Sequence, residues 1–249
     1  MLQHDLVLAM DPVRFACEAL GFHPDSSQAQ VLRSTKRRLL LNCTRQWGKS
    51  TTAAALALHQ ALYYPNSLIL LVSPSQRQSF ELFAKIGGFL RKLSVMPVKL
   101  KDNQFSMQLA NGSRIVALPG QEKTIRGFSG VTLIIEDEAS RVDDATYRAV
   151  RPMLAVSGGR ILLMSTPYGQ TGHFFEEWTN GGNSWERVEC KATDCPRIQK
   201  QFLEEERASL GEWSFRQEYL CEFVQNRENV FSPDLVRNAI SSDVKPLLF

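Results

Sequence analysis

The run Cys43-Thr44-Arg45-Gln46-Trp47-Gly48-Lys49-Ser50 has the residue types and spacing that grip a phosphate chain. A loop of the form G-x-x-x-x-G-K-[ST] turns backbone N–H groups onto phosphate oxygens, adds the charge of its lysine, and offers a hydroxyl to Mg²⁺. Lys49 and Ser50 are that charge and that hydroxyl. Thr44, Arg45, Gln46, Trp47, Gly48 and Thr51 complete the nucleotide-binding set, while Cys43 stands in the first glycine position. Arg45 puts a second cation inside the loop. The alanine-rich stretch 50–62 that follows is helix-forming, and a helix N-terminus directs partial positive charge at phosphate.

A second constellation lies downstream. The apolar β-formers at 131–135 run into Glu136-Asp137-Glu138. Acids at the C-terminal end of a strand sit where open α/β sheets bind ligands. Asp137 is suited to holding Mg²⁺, and Glu138 to polarising an attacking water as general base. Ser165-Thr166-Pro167 follows another apolar run, where small hydroxyls can sense a terminal phosphate and relay its loss. Gln28, with an amide that offers both donor and acceptor, and Arg126, in the loop before the acidic strand, are isolated residues on their own. The phosphate loop and the strand-borne acids together point to a nucleoside triphosphatase.

Such groups converge only on a sheet with its strand ends aligned. Buried-strand candidates at 39–41, 68–72, 133–135 and 161–164 alternate with helix candidates at 50–62, 76–93 and 143–154, an α/β pattern with a mostly parallel sheet. Segments 104–109 and 113–118 flank Asn111-Gly112, which predicts a two-residue hairpin turn and an antiparallel edge. A last strand is expected at 185–190, then charged helical stretches at 197–210 and 213–220. The expected division is a core at 1–184, a small lid or linker at 185–225 and a polar tail at 226–249.

Composition sets the outer bounds. With 249 residues, 43% hydrophobic and 22% charged, the chain can bury one sizeable core. No apolar run is long enough to span a membrane and no signal segment opens the chain, so a cytoplasmic protein with no membrane partner is expected. Five cysteines without framework spacing read as reduced thiols, and Cys190, Cys195 and His173 match no strong zinc pattern. The net charge of +3 is compatible with nucleic acid. Lys36-Arg37-Arg38, Arg148 and Arg151 are the basic candidates for such contact.

In order, Gln28, Arg45-Gln46-Trp47-Gly48-Lys49-Ser50, Ser73-Pro74-Ser75-Gln76, Asn111-Gly112-Ser113, Ile125-Arg126-Gly127, Ile135-Glu136-Asp137-Glu138-Ala139 and Ser165-Thr166-Pro167 form a set. Over roughly 20–225 it resembles the ATPase domain of the large terminase subunit of tailed double-stranded DNA bacteriophages, a family that tolerates a degenerate first loop position. The resemblance implies a P-loop NTPase fold of the ASCE type with a C-terminal lid, using ATP and Mg²⁺. It makes Gln28 the adenine reader, Glu138 the catalytic carboxylate and Ser165-Thr166-Pro167 the coupling motif. Arg126 looks like a finger acting in trans and Arg45 like one acting in cis, and both stay open. The implied partners are double-stranded DNA, a portal protein, a small terminase subunit and further copies in a ring on the procapsid, in the cytoplasm of an infected bacterial host. Family members usually continue into a nuclease domain built on clustered aspartates. No such cluster follows the linker here, so nuclease activity is not expected of this chain. The alternative is a superfamily 2-like helicase or another DNA-stimulated ATPase.

Overall fold

Leu39, Leu40 and Leu41 are all fully buried in strand β1 (Arg38–Cys43), because helices cover both faces of the sheet to which it belongs. Leu39 and Leu41 enter one core with the alanine-rich helix α4 (Lys49–Tyr63), and Leu40 enters a second with Tyr147 and Phe174. The computed structural model describes residues 2–119, 125 and 127–225. Arg126 and the tail at 226–249 lie outside the described residues.

The remaining strands among the described residues are β2 (Leu68–Ser73), β3 (Lys99–Asp102), β4 (Ser106–Leu109), β5 (Arg114–Pro119), β6 (Leu133–Asp137), β7 (Arg160–Ser165) and β8 (Glu186–Cys190). They form one sheet in the order β3-β4-β5-β2-β6-β7-β1-β8, antiparallel only at β3-β4 and β4-β5. β7 is inserted between the phosphate-loop strand β1 and the acidic strand β6. The α/β class, the parallel core and the antiparallel edge are as expected. Strand β8 lies past residue 184 and pairs with β1, so the main sheet extends into the segment expected to form the lid.

Three details differ from expectation. The Asn111-Gly112 link is wider than a two-residue turn: Gly112 N–H donates to Leu109 O (3.0 Å) and Leu109 N–H to Ser113 O (2.8 Å). Gly112 takes a φ of +85°, whereas a two-residue type I′ turn needs positive φ at both central positions and Asn111 does not adopt it. The Asn111 side chain instead donates to Ala61 O and Leu62 O at the end of α4. Helix α6 (Asp144–Val150) gives way at Arg151–Leu154 to a 3-10 turn, because Pro152 lacks the N–H needed to continue it. Three helices, α1 (Leu2–Met10), α2 (Pro12–Leu20) and α3 (Ser26–Arg33), precede β1 where no element was expected. Their signals were local caps: Asp11 accepts from Val13 N–H, and Asp25 and Gln28 form a capping box.

Helices α5 (Gln76–Leu90) and α7 (Gly172–Asn180) complete the layers on the sheet. The last helix, α8 (Lys200–Tyr219), breaks at Gly211 (φ +74°, ψ 161°), the boundary between the two helical stretches expected there. Leu203, Phe215 and Tyr219 bury against Ala192, giving this segment a small core of its own.

Candidate active site

Cys43 fits the first glycine position because the chain is still strand there. It pairs with Cys190 of β8 and is fully buried, so no left-handed backbone is required of it. The left-handed residues come later in the loop, Gln46 at φ +63° and Gly48 at φ +101°. At Gly48 glycine is needed for a second reason: a Cβ would stand 2.8 Å from Gln28 Nε2. Lys49 is buried and its Nζ donates to Cys43 O (2.8 Å) and Thr44 O (3.0 Å), folding the loop around the ammonium. The carbonyl of the fully buried Trp47 accepts from Gln28 Nε2 (2.8 Å) and Arg197 Nη2 (2.6 Å), which braces the loop from both sides. Gln28 also accepts Asp25 N–H through Oε1 (3.0 Å). Each of its amide atoms therefore already has one protein partner. Thr44 faces the protein: its N–H donates to Cys190 O (2.9 Å) and its hydroxyl to Glu218 O (3.1 Å).

Strand alternation divides the three acids. Asp137 shares the face of Leu133 and Ile135, and its Oδ2 lies 3.4 Å from Ser50 Oγ. Burial, then the neighbouring charge of Glu138, push Asp137 up to about 6, although Lys49 pulls the other way. Glu138 turns out of the strand in the left-handed region (φ +53°, ψ 42°), with its N–H on Asp137 Oδ1 (3.0 Å). Glu136 points to the opposite face, where His173 hydrogen-bonds it, donates also toward Asp144 Oδ1 (3.0 Å) and stacks on Tyr147 at 4.3 Å.

A cleft of about 770 Å³ opens over the loop, a volume in the range of small-molecule sites. Gln28, Arg45, Gln46, Trp47, Gly48, Lys49, Ser50, Thr51 and Glu138 line it. So do Phe22, His23, Gln78, Lys85, Arg141 and Arg197, which sequence reading did not single out. Of these, Arg141 had the clearest signal, three residues past Glu138 on the same turn. Arg45 Nε pairs with Glu218 Oε2 of α8 at 2.6 Å while its side chain stays 60% exposed. Ser165, Thr166 and Pro167 are buried at the end of β7 and do not line the cleft. Ser140 connects them to the acidic turn: its hydroxyl is 2.7 Å from Ser165 Oγ and donates to Thr166 O at 2.8 Å. Lys36, Arg37 and Arg38 lie at the start of β1, the far end of the sheet, where Arg37, Arg38 and Arg151 line a separate cleft of about 430 Å³.

A phosphate loop on β1, acids on β6 and β7 between them define a P-loop NTPase fold of the ASCE type. The sequence model described as "Terminase large subunit, T4likevirus-type, N-terminal" matches residues 40–237, and the chain belongs to that family. The large terminase subunit of Thermus phage G20c is 29% identical over 86% of this chain and 52% of its own length. That of Escherichia phage T5 is 29% identical over 82% of this chain and 48% of its own length. The chain thus spans about half the length of these relatives. Its fold is similar to that of the large terminase ATPase domain of Thermus phage P74-26, with a TM-score of 0.75 at 23% identity over 86% of this chain and 99% of that one. Among the described residues no helix is long and apolar enough to cross a membrane.

Proposed function

We propose that this chain is the ATP-hydrolysing motor part of a large terminase, which drives double-stranded DNA into a procapsid. The observation that carries the reading is the convergence of Lys49, Ser50 and Glu138 on one cleft, with Asp137 beside Ser50 and the coupling motif hydrogen-bonded to the same turn through Ser140. Lys49 and the loop amides hold the phosphates, and Gln28 steadies the loop that surrounds them. Ser50 and Asp137 supply hard oxygen donors at one point, a set that suits Mg²⁺ together with phosphate and water oxygens. Bound there, Mg²⁺ supplies charge neutralisation at the phosphates. Glu138 orients and deprotonates the attacking water. Arg45, paired with Glu218 beside the cleft, is the candidate finger in cis. Arg126 is the alternative, a finger in trans that only the family resemblance supports. Loss of the terminal phosphate passes through Ser140 to Ser165, Thr166 and Pro167 and on to the lid.

In this reading the partners are DNA held by its phosphates with strong salt dependence, a portal, a small terminase subunit and neighbouring copies in a ring, within the host cytoplasm. The test is phosphate release from ATP with Mg²⁺, stimulated in a packaging assembly. Glu138→Gln should bind nucleotide as the wild type does and lose turnover by about 10²–10⁴, the usual weight of a general base. Undiminished turnover in that variant removes Glu138 from the role. Unwinding of a duplex by the chain would favour the helicase reading.

A further inference from the structure

Arg141 joins three parts of the site. Its Nη1 lies 3.2 Å from Glu138 Oε2, and its Nη2 lies 3.9 Å from Glu218 Oε1 on the lid helix α8. Its guanidinium also sits over the ring of Tyr168, 4.5 Å from the centroid, one residue past Ser165-Thr166-Pro167. The backbone holds it in place: Arg141 N–H donates to Glu138 O (2.8 Å), and Ser140 is tied to Ser165 and Thr166. The side chains of Arg141 and Glu138 are 28% and 30% exposed, and ion pairs this open to water add little stability. What the arrangement provides is direction. A guanidinium is a rigid fork of donors that can serve two carboxylates and stack on a ring at once, which a lysine ammonium cannot. Glu138 needs such support, since a left-handed backbone persists at a non-glycine residue only where neighbours over-determine it.

We propose that Arg141 is a positioning residue for Glu138, aiming its carboxylate into the cleft and tying that aim to the lid through Glu218 and to the coupling motif through Tyr168. The inference rests on Glu138 being the general base. It gives the lid a route to the water-activating group that bypasses the phosphate loop. Arg45 and Arg141 share Glu218, so a lid that releases one guanidinium changes the hold on the other.

The experiment uses the chain and its variants Arg141→Ala, Arg141→Lys, Glu218→Gln and the Arg141→Ala/Glu218→Gln double, with ATP turnover and binding of a fluorescent ATP analogue. A misplaced base costs up to about 10²-fold, so Arg141→Ala should lower kcat about 10- to 100-fold with KM changed less than about threefold. Arg141→Lys should recover part of that loss. Glu218→Gln should lower kcat by less, and the double variant should lose less than the sum of the two, because one of the contacts Glu218 makes is with Arg141; what Glu218→Gln adds beyond Arg141→Ala reports its other contact, with Arg45. A kcat within about twofold of wild type overturns the inference, as does a KM that rises while kcat holds, the signature of a phosphate ligand. Additive losses overturn the link to the lid. Amide exchange needs no turnover: Arg141→Ala should speed exchange around residues 138–141 and 212–220, and unchanged exchange in both counts against the inference. Absent turnover in the wild type is a failure of the proposed function, and the exchange result then decides Arg141 separately.

Discussion

Replacing Asp137 with asparagine should make the free protein more stable while disabling its site. Asp137 is buried, and its folded pKa of about 6 stands about two units above the ordinary 3.8. A carboxyl raised in this way costs no stability below 3.8, a growing amount between 3.8 and about 6, and a constant amount above. At about 1.4 kcal/mol per unit the full penalty near neutral pH is about 3 kcal/mol. Asparagine has nearly the same shape, and its Oδ1 can still accept Glu138 N–H. The attraction to Lys49 is already inside that net figure; what is returned is the less complete fit of an amide in a carboxylate's place, leaving about 1–3 kcal/mol. Urea unfolding in EDTA without nucleotide, at about pH 4, 5.5 and 7.5, reads this as a midpoint shift at constant slope. Asp137→Asn should exceed wild type at the highest pH and converge with it at the lowest. No gain at pH 7.5, or a gain that grows toward pH 4, would refute the argument that burial of an ionised carboxylate governs this residue.

Two further outcomes follow from the geometry. Gly48→Ala meets both a φ of +101° and Gln28 Nε2 at 2.8 Å, so it should destabilise by about 1–3 kcal/mol and weaken nucleotide binding at least tenfold, about 1.4 kcal/mol, in a fluorescent-analogue titration. Burial opposes the charge on His173, but Glu136 and Asp144 outweigh it and its pKa is raised. Its stabilisation is therefore full below about 6.5 and fades as pH rises through the folded value. His173→Gln should flatten the decline in thermal stability toward alkaline pH, and an unchanged slope would show that the imidazole is neutral in the fold.

Residues whose chemistry is local were legible in the sequence. The apolar runs at β1, β2, β6 and β7 and the alanine-rich start of α4 marked their own elements, and the loop and acids fell at the strand ends that this predicts. The contacts that organise the site were not legible. Nothing in the local pattern of Ser140 shows that it meets Ser165, because β6 and β7 become neighbours only when the sheet assembles. Gln28 has the wrong surroundings in sequence to look buried, yet it is, because the capping box of α3 turns its side chain onto the phosphate loop. Glu136 adjoins two further acids in sequence, and strand alternation sends it to the other face. The hairpin is wider than Asn111-Gly112 suggests, and the Asn111 side chain bonds the end of α4, a partner far away in sequence.

Trp47 has a consequence for observation. The chain has four tryptophans, Trp47, Trp178, Trp185 and Trp213, and only Trp47 belongs to the phosphate loop. Its indole is fully sheltered in the core while its carbonyl is held by Gln28 and Arg197. The emission of a sheltered indole shifts when its surroundings loosen or admit water. With the other three replaced by phenylalanine, the loop carries its own optical gauge, able to time its rearrangement in a single mixing experiment without an attached dye.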